Sequence, residues 1–252
     1  MQAKKSLGQH FLHDKSVVWR IVSLIDKPCL VLEIGPGRGA LTEGLLEKGL
    51  SVDALEFDKD MVEYLKEKFK DNDKLNIIKA DATTYKLDKN YCVVGNLPYN
   101  VSKKIIVNMI NQKHFIKKMV FMVQREVADT ISAQPKTKEY SKFSIFVQIF
   151  CNVKKVFDVQ ASAFKPAPKV VSSVVELVPY DVSLFNEPIE TDFFGFLKKF
   201  FAQPNKTVRN NLKGHIDVQC LNENLILNTR PRQVSIQEIY RFYRYLKERE
   251  WV

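Results

Sequence analysis

Residues 30–40 read LVLEIGPGRGA, and this stretch indicates the fold class most clearly. A short apolar run predicts a buried strand, which ends in a glycine-rich turn before a helical pattern begins. Gly35, Gly37 and Ala40 match the spacing GxGxx(G/A), in which the missing side chains let a ligand approach the backbone closely. The stretch therefore predicts the first strand and helix of an α/β sheet, with a nucleotide-type cofactor at the turn. A tight turn that binds no ligand is the alternative at this point.

Strands and helices continue to alternate after this turn. Strand patterns occur at residues 51–58, 75–81, 91–95 and 118–124. Helical patterns occur at residues 41–48, 59–69, 103–111 and 125–133. Such alternation is typical of right-handed βαβ units, so we predict a doubly wound, mostly parallel α/β sheet.

The pattern changes after Tyr140. Residues 141–150 are apolar and predict a helix, with a strand as the alternative. Two strand-like segments, 151–159 and 170–178, are separated by only ten residues. A connection this short permits antiparallel pairing but no helical crossover. We therefore predict a seven-stranded sheet that ends in an antiparallel pair.

The last part of the chain has a different organisation. Strand and helix periodicity lapses around residues 180–188, and helical patterns then occur at residues 188–201 and 234–249. We place a domain boundary at this lapse. Residues 1–182 are predicted to form the cofactor-binding domain, and residues 183–252 a small helical C-terminal domain.

Composition and charge narrow the classes of function. The 252 residues include 39 Lys and Arg against 29 Asp and Glu, and this net charge of +10 favours a polyanionic partner. A generic solvated surface is the alternative. Apolar runs stay well short of the roughly 18 residues that span a membrane, and the basic N-terminus lacks the apolar core of a signal peptide.

Cysteine usage points to a reducing compartment. The four cysteines are far apart and form no CxxC pair: Cys29, Cys92, Cys151 and Cys220. This spacing argues against a disulfide framework and against a zinc site. We therefore expect a cytoplasmic protein that uses no metal and is not bound to a membrane.

Three carboxylates near the predicted strand ends indicate which cofactor is bound. Glu56, 21 positions after Gly35, suits the two hydroxyls of a ribose. Asp81 ends the next strand and can accept a hydrogen bond from an adenine amine. Glu33 lies two residues before the glycines, where it can meet the ammonium or sulfonium end of S-adenosylmethionine (SAM). A nicotinamide cofactor would place a pyrophosphate there, so the charge favours SAM.

The acceptor is predicted to bind at residues 93–102, VVGNLPYNVS, where another strand ends. The side-chain oxygen of Asn96 and the carbonyl of Leu97 can accept both hydrogens of one exocyclic amine. Pro98 stiffens the loop, and the ring of Tyr99 can stack on a base for about 1–3 kcal/mol. An ordinary turn punctuated by Asn and Pro is the alternative.

Four motifs together resemble one family. NLPY follows a strand in the manner of the (N/D)(P/L)PY motif of amino-group methyltransferases. Together with KKSLGQHFLHD, EIGPGRGALT and SAFKPAPKVVSSVV, it makes the chain similar to the ribosomal RNA adenine N6,N6-dimethyltransferases. The resemblance runs from about Lys4 to the end of the chain and thins in the C-terminal part. It implies a Rossmann-like, SAM-dependent methyltransferase fold.

The NLPYN form most resembles the small-subunit enzymes of that family. The resemblance implies dimethylation of two adjacent adenosines in the 3′-terminal hairpin of 16S rRNA, in a small ribosomal subunit precursor. It also implies a monomer with a role in ribosome biogenesis. Three alternatives stay open: a macrolide-resistance methyltransferase of 23S rRNA, an rRNA-binding assembly factor, and a DNA adenine methyltransferase.

The resemblance also assigns roles to individual residues. Phe164, in FKPAPKV, supplies a second aromatic surface near the flipped base, beside the catalytic loop. His10 stands where many relatives have Asn, and GQHFL binds SAM largely through backbone groups. The implied cofactor residues are His10, Leu12, Glu33, Gly35, Gly37, Glu56, Asp81, Ala82 and Asn96. The RNA-binding candidates are Lys103, Lys104, Arg125, Lys165, Arg230 and Arg232.

Overall fold

A computed structural model describes residues 9–26, 28–216 and 225–249. The strands are β1 (Phe11–Leu12), β2 (Leu30–Ile34), β3 (Ser51–Glu56), β4 (Leu75–Lys79), β5 (Tyr91–Asn96), β6 (Ile116–Gln124), β7 (Cys151–Val159), β8 (Phe164–Lys165) and β9 (Ser172–Pro179). The helices are α1 (Lys15–Ser23), α2 (Ala40–Glu47), α3 (Lys59–Lys68), α4 (Ser102–Ile110), α5 (Arg125–Ile131), α6 (Lys142–Phe150), α7 (Thr191–Phe200), α8 (Val208–Leu212) and α9 (Ile236–Lys247).

The main sheet has seven strands in the order β4-β3-β2-β5-β6-β9-β7. Its first five strands are parallel, whereas β9 runs antiparallel to both β6 and β7. This arrangement confirms the predicted α/β sheet with an antiparallel pair at one end. Because β2 to β5 are parallel and adjacent, their carboxyl ends lie along one edge of the sheet.

A second, two-stranded sheet was not predicted. β1 pairs antiparallel with β8, so that Phe11 lies opposite Lys165 and Leu12 opposite Phe164. The backbone N–H of His13 also donates to the carbonyl of Ala163. These contacts hold the GQHFL segment against the FKPAPKV segment, although more than 150 residues separate them along the chain.

Helix α1 was also missed, although its start carries a sequence signal. Asp14 is the N-cap, and its carboxylate accepts hydrogen bonds from the backbone N–H groups of Ser16 and Val17. Asp is among the strongly preferred N-cap residues. The apolar face of α1 places Val17, Ile21 and Val22 in the core of the sheet domain.

Contacts divide the chain into two compact units. The first comprises Met1–Ala128 and Cys151–Asp181, and the second comprises Asp129–Phe150 and Val182–Val252. Residues 129–150, predicted to belong to the first domain, are grouped with the second unit. The reason is the apolar face of α6, whose Ile145 and Ile149 lie in one core with side chains of α7 and α9.

The predicted helix at residues 141–150 is confirmed as α6 over the strand alternative. Among the described residues, none of the helices has both the length and the apolar character needed to cross a membrane.

Candidate active site at the carboxyl edge of the sheet

A cavity of about 370 Å³ lies in the first unit at the carboxyl ends of β2, β3, β4 and β5. Residues 9–11, 34, 35, 37, 55–57, 80–83, 96–101, 104 and 105 line it. We call it the main cavity. The structure thus brings together most of the side chains and turns that the sequence singled out, from the glycine turn to the NLPYN loop.

The glycine turn has the backbone conformation that only glycine adopts easily. Gly35 and Gly37 have φ values of 67° and 55°, in the left-handed region that a Cβ disfavours. The turn is fixed to β3, because the N–H of Gly35 donates to the carbonyl of Leu55 at 2.9 Å. Bare backbone is therefore presented to the main cavity.

Glu56 ends β3 and is held by backbone donors. Its Oε2 accepts from the N–H of Gly37 at 3.2 Å, and its Oε1 accepts from the N–H of Asp58 at 2.9 Å. The residue is only 7% exposed, and this burial raises the pKa of the carboxyl. A carboxylate fixed in this way beside a cavity is a strong acceptor for hydroxyl groups.

Asp81 follows β4 and is fixed by its own loop. Its Oδ1 accepts from both the N–H and the hydroxyl of Thr83, each at 2.8 Å. The loop is held in turn by Asn108 of α4, whose amide donates to the carbonyls of Ala82 and Tyr85, each at 2.9 Å. Asn108 was not predicted, because it acts through the backbone of a distant loop and belongs to no sequence motif.

Apolar side chains complete this end of the main cavity. Phe57 follows Glu56 directly and is 60% exposed, while Ile105 and Val101 line the cavity from the start of α4 and the turn before it. Phe57 was not predicted from the sequence. A large aromatic side chain that is exposed beside a cavity suits the face of a flat ring.

A second cavity of about 30 Å³ adjoins the first, with which it shares His10, Gly35 and Asn96 among its lining residues. Leu12 and Glu33 line it, so both predicted residues lie beside the glycine turn. Arg38 lines it too, with its guanidinium 4.7 Å from the ring centroid of Phe11. We call it the small cavity.

Glu33 is the buried acid of the small cavity. It is 1% exposed, and its Oε2 accepts from the hydroxyl of Thr42 at 2.6 Å. Burial raises the pKa of its carboxyl to about 7, against the opposing effect of the Thr42 hydrogen bond. A buried acid and a guanidinium in one cavity suit a ligand that carries both an ammonium and a carboxylate.

The acceptor loop is anchored to three parts of the fold. The amide of Asn96 donates to the carbonyl of His10 at 2.9 Å, which fixes the side-chain oxygen in position. The N–H of Leu97 donates to the carbonyl of Met122 on β6 at 3.0 Å. The hydroxyl of Tyr99 is 2.7 Å from that of Ser172 on β9. With Pro98 between them, Leu97 and Tyr99 are held rigidly against the sheet.

Phe164 lies elsewhere than predicted. Its side chain is 3% exposed and packs in the core of the first unit, and it lines neither the main nor the small cavity. The physical reason is the pairing of β8 with β1, which turns alternate side chains to opposite faces. Phe164 is therefore directed inward, and the exposed Lys165 outward.

The RNA-binding candidates are divided between the two units. Lys103, Lys104, Arg125 and Lys165 are exposed in the first unit, and Lys104 also lines the main cavity. Arg125 forms an ion pair with Asp158 at 2.8 Å. In the second unit Arg230 is exposed and Arg232 half-buried. Within the described ranges, no three His, Cys, Asp or Glu side chains are grouped as a metal site requires.

The sheet topology and the site at the carboxyl ends of β2 to β5 define a class of protein, the SAM-dependent methyltransferases with a Rossmann-like fold. Two solved structures share it. A dimethyladenosine transferase from Plasmodium falciparum has a TM-score of 0.80 at 26% identity, covering 95% of this chain and 98% of its own. The 23S rRNA methyltransferase ErmE has a TM-score of 0.69 at 22% identity, covering 92% and 98%, and this likeness shows the fold alone.

The chain belongs to the ribosomal RNA adenine dimethylase family, whose model matches residues 1–248. A Legionella pneumophila protein named ribosomal RNA small subunit methyltransferase A is 39% identical over 96% of this chain and 97% of its own length. A protein of the same name from Hahella chejuensis is 37% identical over 97% of this chain and 93% of its own. The resemblance seen in the sequence motifs is thereby confirmed.

Proposed function

We propose that this protein transfers methyl groups from SAM to N6 of two adjacent adenosines in the 3′-terminal hairpin of 16S rRNA, within a small ribosomal subunit precursor. Its family and the names of its relatives support the proposal. The observation that carries it is the position of Asn96, which lines the main cavity and whose side-chain NH2 donates to the His10 carbonyl. This supports a role for the side-chain oxygen of Asn96 in accepting a hydrogen bond from the target amine.

The residues that line the two cavities suit the successive parts of SAM. Asp81, with Phe57 nearby, suits the adenine, and Glu56 suits the ribose hydroxyls. The glycine turn allows the chain of the cofactor to pass close to the backbone, and Glu33 and the small cavity suit the charged amino-acid end. When bound, SAM supplies a methyl group already activated by the positive charge on its sulfur.

Asn96 and Leu97 then act on the amine that receives the methyl group. The adenine N6 amine is a poor nucleophile because its lone pair is delocalised into the ring. Two acceptors on its hydrogens, the Asn96 side-chain oxygen and the Leu97 carbonyl, favour a pyramidal nitrogen with an available lone pair. Such fixed groups contribute by position and electrostatics. A general base is not needed before attack, since the amine becomes acidic only once it is methylated.

Tyr99 offsets part of the cost of bringing the base into the site. A base that leaves its stack loses a few kcal/mol. Stacking on an aromatic side chain returns about 1–3 kcal/mol. The hydrogen bond between Tyr99 and Ser172 holds the ring in one orientation for this contact.

Protonation of Glu33 should make SAM binding depend on pH. Because burial raises the pKa of its carboxyl to about 7, most of the free protein holds a neutral Glu33 at lower pH. A bound ammonium favours the ionised carboxylate, so binding below that pKa must release a proton. We expect SAM affinity to fall by up to about tenfold for each pH unit below 7.

Calorimetry across this pH range checks the expectation. 5′-Methylthioadenosine is the matched ligand, because it lacks the amino-acid end and should bind with little pH dependence. Glu33→Gln should flatten the pH profile for SAM. Parallel pH profiles for the two ligands would contradict the role of Glu33.

RNA binding should weaken steeply with salt. If Lys103, Lys104 and their neighbours neutralise three phosphates, a slope of about −2 to −2.7 gives a loss of roughly twentyfold to fortyfold between 50 and 200 mM salt. Reversing Lys103 and Lys104 to Glu should weaken RNA binding and reduce this slope.

The matched control reverses two exposed lysines near the opposite edge of the sheet, Lys66 and Lys74. It makes the same change in net charge but should alter RNA affinity much less. Filter binding at several salt concentrations distinguishes the variants. A flat salt dependence, or equal losses in both pairs, would contradict docking through Lys103 and Lys104.

The nucleoside product tests the proposed reaction. Undermethylated small subunits are incubated with the protein and SAM, and their nucleosides are analysed by mass spectrometry. We expect N6,N6-dimethyladenosine. RNA binding without any methylated product would instead favour a binding protein that assists assembly. We also propose that the protein acts as a monomer, since one chain carries every residue named for the reaction. We propose that it does so in the cytoplasm.

A further inference from the structure

Helix α1 carries a large aromatic side chain on its outer face. Trp19 is 71% exposed, more than any other large apolar side chain in the described part of the chain. The opposite face of the helix places Val17 and Ile21 in the core of the first unit. A single exposed apolar side chain is ordinary, so the neighbours of Trp19 decide what it can bind.

Two cations flank Trp19 on the helix. Lys15 lies about one turn before it, on the same face, and Arg20 follows it directly; both are exposed. The guanidinium of Arg20 lies 3.5 Å from the ring centroid of Phe157 on β7, a cation–π contact that fixes its position at the surface. A guanidinium that rests on a ring keeps the N–H groups in its plane for other acceptors, such as a phosphate.

Strand β7 carries a third cation on the same side of the sheet as α1. Phe157 lies opposite Val174 of β9, and Val174 packs in one core with α1. Lys154 lies opposite Glu176, two residues from Val174 and therefore on the same face of the sheet. Lys154 is exposed, whereas Glu176 is half-buried and ion-paired with Lys118 at 3.3 Å. The acid opposite Lys154 is therefore already neutralised by another cation.

These side chains form one surface of the first unit, which we call the α1–β7 patch: Lys15, Trp19, Arg20, Lys154 and Phe157. Among the described residues, none of its three cations forms an ion pair with an acid. Its charge is therefore left to complement a polyanion. An exposed indole among such cations is typical of surfaces that bind unpaired nucleotides, whose bases stack on aromatic rings while cations neutralise the phosphates.

We propose that the α1–β7 patch is a second docking surface for RNA, where an unpaired base of the small-subunit rRNA stacks on Trp19 and the three cations contact the adjoining phosphates. The choice of small-subunit rRNA rests on the proposed function. None of the residues of the patch lines the main or the small cavity. The patch follows β1 in the chain, and the backbone just before β1 accepts the hydrogen bond from the Asn96 amide. RNA docked there is thus held at a fixed position relative to the acceptor loop.

The indole and the cations should contribute differently to binding. Trp19→Ala should weaken the binding of unmethylated small subunits by roughly fivefold to 150-fold, the loss of one base–aromatic stack. Its salt dependence should stay that of the wild type, because the indole is uncharged, and Trp19→Phe should keep most of the affinity. Arg20→Gln should instead reduce the salt slope by about 0.7 to 0.9, the contribution of one phosphate contact.

Filter binding at several salt concentrations measures these effects. The rate of methyl transfer at saturating small subunits should stay at the wild-type value in all three variants, since the patch lies outside the two cavities. The matched control is Tyr64→Ala, which removes another exposed aromatic side chain, on α3, and should bind as the wild type does. Thermal unfolding verifies that Trp19→Ala is folded, as expected for a side chain that lies mostly in solvent.

Fluorescence reports on the stack directly, because the chain has only one other tryptophan, Trp251. In a Trp251→Phe variant, the emission therefore comes from Trp19 alone. Titration with protein-free small-subunit rRNA, which contains no tryptophan, should quench this emission and shield the indole from acrylamide.

Three results would overturn the proposal. The first is wild-type affinity in Trp19→Ala, and the second is Trp19 emission that the rRNA leaves unchanged. The third is a loss of affinity in Trp19→Ala for small subunits but not for protein-free rRNA, because Trp19 would then contact a ribosomal protein. If the rRNA quenches Trp19 but the wild-type protein methylates no small subunit, the proposed function has failed and the RNA surface stands.

Discussion

Asn96→Ala is expected to lower the rate of methyl transfer by about a hundredfold to a thousandfold, the cost of removing one fixed group at a reacting centre. Both substrates should still bind. The side-chain oxygen of Asn96 is held in place by the bond from its amide to the His10 carbonyl, so its position costs no reorganisation during the reaction. Without it, one N–H of the target amine has no acceptor, and the lone pair stays delocalised in the ring.

Single-turnover methylation with labelled SAM measures this effect, while calorimetry and filter binding report the affinities for SAM and RNA. The matched control is Asn111→Ala, which removes an exposed asparagine at the C-terminal end of the helix that follows the acceptor loop. That variant should react at the wild-type rate. Wild-type turnover in Asn96→Ala would contradict the proposed role of Asn96 in binding the target amine.

Loss of Glu56 or Asp81 is expected to weaken SAM binding by about 1–3 kcal/mol each, or roughly fivefold to 150-fold, as for an unpaired polar partner. The two residues recognise different parts of the cofactor, the ribose and the adenine. Glu56→Ala also removes the acceptor for the N–H of Gly37, so the glycine turn loses one of its anchors. We therefore expect the larger loss at Glu56.

Calorimetry with each alanine variant measures the change directly. Glu63→Ala serves as the control, because Glu63 is an exposed acid on α3 whose partner is Lys59. It should bind SAM as the wild type does. Unchanged affinity in both Glu56→Ala and Asp81→Ala would contradict the assignment of the cofactor site.

The parts of the fold that could be predicted are those with a local pattern. The glycine turn after β2, the alternation of strands with helices and the short loop before β9 are each determined by neighbouring residues. Parallel strands then bring their carboxyl ends together. For this reason Glu56, Asp81 and Asn96 could be placed at one edge from the sequence, and all three line the main cavity.

What could not be predicted depends on contacts between distant segments. Strands of two residues, such as β1 and β8, are too short to show any periodicity, so their pairing could not be predicted from the sequence. That pairing directs Phe164 into the core and brings the His10 segment to the acceptor loop. Asn108 likewise acts through the backbone of the Asp81 loop. Arg38 lines the small cavity, which forms only when distant segments of the chain come together.

The RNA that accepts the methyl groups distinguishes the small-subunit reaction from its large-subunit alternative. Purified protein and labelled SAM are supplied in parallel with unmethylated small ribosomal subunits and with protein-free large-subunit rRNA. We expect label in the small-subunit rRNA, as N6,N6-dimethyladenosine at two neighbouring adenosines of the 3′-terminal hairpin. Label that enters only the large-subunit rRNA, at a single adenosine, would contradict it.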